Sequence, residues 1–167
     1  MCVTQTVLWC NESWLLTKSE KRLLQSTQLN MLRRIAGPRR RPEEDWVEWV
    51  KRSTRAARKA AKQSGIRFWL EAHLRSKWCW AGHVMRMNEN RLARRAAVWR
   101  DSVWQAAEVN DLPPRLRIRR PCRTRWFRYE DELRRFAAHL GCTPWQDLAQ
   151  HRDSWLDSCS DFIKYTQ

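Results

Sequence analysis

Apolar residues recur along this chain at steps of three and four, the spacing of one face of an α-helix, and runs of β-branched residues are nearly absent. Thr17 and Glu20 form a T-x-x-E capping signature, and Leu24, Gln28, Met31, Leu32 and Ile35 follow at helical spacing until Gly37 and Pro38. The pattern predicts a first helix over residues 18–36. Pro42 suits the first turn of a second helix, with Glu43, Glu44 and Asp45 at its positive end and an apolar stripe of Trp46, Val50, Ala57 and Ala61 before Gly65. A third helix, residues 66–87, carries Leu70, Leu74, Trp78, Ala81 and Met85, broadened by Trp69, Trp80 and Val84. With so much of its circumference apolar, it is expected at the centre of the core.

Asn90 is placed to cap a fourth helix over residues 91–109, with Leu92, Ala96, Trp99, Val103 and Ala106 in its stripe. "NDLPP" breaks the pattern, and "RLRIRRPCRTR" follows without an acidic residue. A fifth helix is expected over 126–140, carrying Leu133, Phe136 and Ala137 and stopped by Gly141. Thr143, Pro144 and Gln146 open a sixth, with Trp145, Leu148, Ala149, Trp155, Leu156 and Cys159. The expected fold class is all-α: a helical bundle-like domain over 1–112, a basic linker over 113–125 and a small helical unit over 126–167. No fixed-period repeat is found.

Lys and Arg number 33 against 18 Asp and Glu, a formal net charge of +15 on 167 residues. Such a charge repels itself and is commonly neutralised by a polyanion, most often nucleic acid. The 12 tryptophans and 43% hydrophobic content separate the chain from a disordered basic tail. Most tryptophans sit at helical spacing and are expected in the core. No apolar run approaches the roughly 18 residues of a bilayer span, so no membrane is expected. The first sixteen residues lack the basic start of a signal peptide. Cys2, Cys10, Cys79, Cys122, Cys142 and Cys159 contain no C-x-x-C pair and read as reduced thiols of an intracellular protein.

Two arginine runs lack neutralising acids: Arg39, Arg40 and Arg41, and the segment with Arg115, Arg117, Arg119, Arg120, Arg123 and Arg125. Together with Arg55, Arg58, Lys59 and Lys62 on the second helix they form the expected nucleic-acid-binding set. Trp126, directly after the second run, is the candidate for stacking on an unpaired base. Contact is expected mainly through phosphates of RNA or an RNA/DNA duplex, with strong salt dependence and little base readout. Basic runs of this length also serve as nuclear localisation signals, so a nuclear location is expected.

Catalytic readings fare worse. Cys79 and His83 are four apart and share a helical face, as zinc ligands do, but a site needs further ligands and none is paired with them in sequence. No metal, cofactor or small-molecule substrate is therefore expected. No oriented base accompanies Cys79, and no Ser-His-Asp order, G-x-S-x-G or phosphate-binding glycine loop occurs.

Four blocks, in this order, carry a family resemblance: "VLWCNESWLLTKSEKRLLQSTQLNMLRRIAG", "WLEAHLRSKWCWAGHVMRM", "RRPCRTRW" and "WQDLAQHRDSW". They resemble the region after the polymerase palm in endonuclease–reverse transcriptases of non-LTR (LINE-type) retrotransposons. Trp9, Glu12 and Trp14 match the first motif, then Met31, Leu32, Arg33, Arg34, Ile35 and Gly37. Trp80, Gly82, His83, Val84, Arg86 and Met87 match the next, with Cys79 where the family usually has arginine. Arg119, Arg120, Pro121, Arg125 and Trp126 match the last. The resemblance implies a thumb-like role for residues 1–112, gripping primer–template or structured RNA, and a palm domain as a partner in trans. Polymerase chemistry needs paired aspartates holding two metals about 4 Å apart. The acidic clusters here, Glu43-Glu44-Asp45 and Glu130-Asp131-Glu132, sit at expected helix starts instead. The expectation is a non-enzymatic fragment of an RNA-directed DNA polymerase. The rival expectation is a helical interaction remnant that needs the missing palm to fold.

Overall fold

The computed structural model describes residues 2–98, 129–142 and 144–167. The fold is all-α, and no strand occurs among the described residues. Packing divides the chain into two units, residues 1–77 with 160–167, and residues 78–159. The expected linker, 113–125, lies outside the described residues.

In the first unit, α1 (Cys2–Val7) and a 3-10 turn (Asn11–Ser13) precede α2 (Lys18–Ala36). The capping signature at the start of α2 closes as the sequence predicts. The Glu20 N–H donates to Thr17 Oγ1 at 3.3 Å, and the Thr17 N–H donates to Glu20 Oε2 at 2.6 Å. Those bonds, the backbone one first, hold the Glu20 carboxyl below its usual range.

Helix α2 pairs with α3 (Trp46–Gln63). Ser53, Ala57 and Ala61 are buried one turn apart on α3, and these small side chains let Leu32 and Phe68 pack on them. The second helix starts later than expected, at Trp46 instead of Pro42. Residues 41–44 form a turn closed by Glu44 N–H to Arg41 O at 3.2 Å, and Asp45 caps the helix by accepting from the Val47 N–H at 2.8 Å. The expected stripe is only partly interior: Trp46 and Ile35 are exposed, while Gln28, Leu32, Ala57 and Ala61 are buried.

Gly65 ends α3 in the left-handed conformation, φ 64°. The Ile66 N–H bonds Ala61 O at 2.9 Å and the Gly65 N–H bonds Lys62 O at 3.2 Å, the paired closure of a Schellman motif. Gly141, φ 73°, ends the helix Asp131–His139 in the same way, with Cys142 N–H to Ala137 O at 2.9 Å. A Cβ at Gly65 meets nothing within 4 Å, so only the backbone conformation resists it. Gly65→Ala is expected to lower stability by about 1–2 kcal/mol. Urea unfolding checks this, and an unchanged midpoint would contradict the left-handed cap.

Helix α4 (Trp69–Met85) starts three residues later than predicted because Gln28 intervenes. Its buried amide accepts from the Trp69 N–H at 2.7 Å and donates to Arg67 O at 3.3 Å, capping α4 from α2. The end frays into 3-10 bonds: the Arg86 N–H is shared between Gly82 O and His83 O. His73, fully buried on α4, bonds Asn11 O through Nδ1 at 2.9 Å, so that nitrogen carries the proton.

The second unit is built on the later part of α4, α5 (Leu92–Val98), α6 (Asp131–His139), α7 (Trp145–Gln150) and α8 (Arg152–Asp157). Trp78 and Trp155 stack with ring centroids 3.6 Å apart and planes 4° from parallel. Each indole N–H donates to the other residue's backbone carbonyl, Trp78 to Trp155 O at 2.7 Å and Trp155 to Trp78 O at 3.0 Å. Phe136 meets Trp78 edge-on at 5.4 Å, and Trp145 lies 6.0 Å from Trp155.

Three expectations change here. The fourth helix begins at Leu92, and Leu92 and Ala96 of its stripe are exposed; its course beyond Val98 lies outside the described residues, as does the predicted start of the fifth. The sixth is broken into α7, α8 and α9 (Cys159–Thr166). His151 takes an extended conformation, and Arg86 Nη1 binds the Ala149 carbonyl at 2.6 Å. The tryptophans also divide: Trp69, Trp78, Trp145 and Trp155 are buried, whereas Trp9, Trp46 and Trp80 are exposed.

Candidate nucleic-acid interface

Helix α3 has two opposite faces. Ser53, Ala57 and Ala61 point inward, and Lys51, Arg55, Arg58, Lys59 and Lys62 are exposed. At 100° per residue these five cations fall within about one quarter of the circumference. From Lys51 to Lys62 they run about 16 Å along the axis with no acidic side chain among them. Four were expected site residues; Lys51 belongs with them, and its i, i+4, i+7 relation to Arg55 and Arg58 is the signal for it.

Arg39, Arg40 and Arg41 are exposed in the loop joining α2 to α3. That loop is tied to α3 by a compact polar network. Arg52 grips Glu44 with two bonds, Nε to Oε1 at 2.7 Å and Nη2 to Oε2 at 2.6 Å. Arg52 Nη2 also donates to Arg39 O at 3.0 Å, Arg40 Nε to Glu44 O at 2.9 Å, and Trp49 Nε1 to Pro38 O at 2.9 Å. Arg52 therefore has a structural task, and the loop's arginines are presented beside the first half of the cationic face. The acidic trio expected at the helix start divides its roles: Asp45 caps, Glu44 anchors and Glu43 stays exposed.

The Glu44 side chain keeps 10% of its exposure. The Arg52 guanidinium, outweighing partial burial and helped by the Arg41 N–H, brings its pKa from the ordinary 4.5 to about 2, and Glu44 in turn raises that of Arg52. Because the folded value lies below the unfolded one, the carboxylate's contribution is complete above pH 4.5 and is lost as pH falls through about 2. An NMR titration of the Glu44 carboxyl is expected to show a midpoint near 2; a midpoint near 4.5 would mean that the loop is not anchored this way.

A cleft of 240 Å³ opens in the same unit, lined by Leu29, Phe68 and Leu70 with Gln25, Arg58, Glu71 and Gln167. Sequence reasoning gave no sign of it, since its walls come from segments distant in the chain.

Cys79 and His83 both lie on an exposed face of α4, where the His83 ring meets Trp80 at 5.7 Å. Helix α4 turns the Cys79 side chain outward, away from Trp78 and Ala81. Among the described residues no group of three or more His, Cys, Asp or Glu is placed to hold a metal ion. Among them also, no helix is long and apolar enough to cross a membrane. Arg115, Arg117, Arg119, Arg120, Arg123, Arg125 and Trp126 lie outside the described residues. No family model, no curated protein and no solved structure matches the chain.

Proposed function

We propose that the chain is a non-catalytic nucleic-acid-binding fragment derived from a retrotransposon reverse transcriptase, contacting RNA or primer–template duplex through its phosphates. The observation that carries the binding reading is the cationic face of α3, free of acidic side chains from Lys51 to Lys62, with the anchored Arg39–Arg41 loop beside it. At about one cation per 3–4 Å of axis, this density matches one strand of a duplex, whose charges recur about every 3.4 Å. The derivation rests on the four sequence blocks. In this reading the arginine run from Arg115 to Arg125 supplies further cations for phosphates and Trp126 a ring for stacking, and a nuclear location accords with both basic runs.

Titration of the purified chain against labelled duplex and single-stranded RNA at two salt concentrations tests it. Binding with Kd of about 10⁻⁴–10⁻⁶ M that weakens steeply with salt is expected. Absence of binding at low salt rejects it.

A second reading has its own support. Trp9 is 76% exposed, Ile35 80% and Leu23 65%, an amount of apolar side chain that a palm domain in trans would cover. In that reading the chain is a helical interaction remnant that folds only against its partner. A cooperative thermal transition of the isolated chain would exclude it.

A further inference from the structure

Resting on the phosphate-binding reading, we infer that the cleft beside α3 takes one unpaired nucleobase, and that its chemistry selects guanine. At 240 Å³ it is smaller than the roughly 300–1,000 Å³ of drug-sized sites, a volume suited to a single planar heterocycle. Leu29, Phe68 and Leu70 offer apolar and aromatic surface for the faces of a base. Arg58 belongs both to the cleft lining and to the exposed cationic face. A nucleotide whose phosphate is held on that face therefore has its base within reach of the cleft.

The polar groups decide which base. Glu71 brings a carboxylate, which only accepts hydrogen bonds and can accept two in parallel. Guanine is the common base whose pairing edge carries two adjacent donors, the N1–H and the exocyclic amine. Adenine and cytosine each place an acceptor beside their amine, and uracil has one N–H between two carbonyls. Gln25 supplies an amide able to donate to the guanine carbonyl. The carboxylate is not consumed elsewhere: its contact with Arg67 is 4.0 Å long between well-solvated side chains, a pair worth little.

The test uses labelled RNA hairpins that differ in a single unpaired nucleotide, read by fluorescence anisotropy against a fully paired hairpin. The guanosine hairpin is expected to bind about tenfold tighter than those with adenosine, cytidine or uridine. Replacing guanosine by inosine, which lacks the exocyclic amine, is expected to remove the preference. So is Glu71→Gln, which brings the guanosine hairpin to the affinity of the other three. Circular dichroism verifies that this variant is folded. Equal affinity for all four hairpins, with salt-dependent binding intact, overturns the base pocket and leaves the phosphate surface standing. Failure of every hairpin to bind overturns both.

Discussion

Trp155→Ala is expected to unfold the second unit. The side chain is fully buried, stacked on Trp78 at 3.6 Å and bonded to the Trp78 carbonyl at 3.0 Å. Removing it opens a cavity, strips the stack, and takes the indole donor from the Trp78 carbonyl. Large-to-small changes at buried aromatic positions cost about 3–5 kcal/mol. A small domain has about 5–15 kcal/mol of stability in total. Loss of the near-ultraviolet dichroism of the tryptophans, with a lowered urea midpoint, is the expected reading. Gly82→Ala is expected to act on the same pair from the other side. A Cβ there would stand 2.7 Å from Trp155 Cδ1 and nearer still to its indole nitrogen, so the ring must move out of its stack. If both variants unfold like the parent chain, the reciprocal tryptophan pair does not hold this unit together.

The second large effect is on binding. Arg55→Ala, Lys59→Ala and Lys62→Ala combined remove three cations from the middle and end of the α3 face. All three side chains are exposed, and alanine is the best helix former, so the helix is expected to survive. Each phosphate contact on a duplex contributes about 0.9 to log K at 0.1 M salt relative to 1 M, so three contacts correspond to about 500-fold weaker binding. The loss is expected to be the same for unrelated sequences, because phosphates carry no base information. Equal affinity of variant and parent would place the nucleic acid elsewhere on the chain.

The helices were legible in the sequence where local chemistry decides them. The Thr17–Glu20 capping box gives the start of α2, and Gly65 and Gly141 give the ends of α3 and α6. Leu70, Leu74, Trp78, Ala81 and Met85 on α4, and Leu133, Phe136 and Ala137 on α6, are buried as their spacing predicts. Boundaries moved where a distant side chain intervenes. Gln28 sets the start of α4, Arg52 withdraws Glu44 from the start of α3, and Arg86 takes a carbonyl at the end of α7. None of these pairings leaves a periodic trace. Exposure of Trp46, Ile35 and Trp80 was equally hidden, since helical spacing cannot tell a packed stripe from an uncovered one. The cationic face was legible as composition, but its separation from the Ser53–Ala57–Ala61 face, and the structural use of Arg52, required the packing. Gly82 has a physical reason in the ring of Trp155 packed against it.

The claim that α3 is a phosphate-binding surface is met most directly by the dependence of duplex RNA affinity on salt, measured from about 50 to 200 mM for the parent chain and the Arg55–Lys59–Lys62 variant. If five phosphates are held, the parent's log K falls against log salt with a slope of about −4.5, and the variant's with a slope of about −1.8. Coincident slopes, or a parent slope near zero, would contradict it.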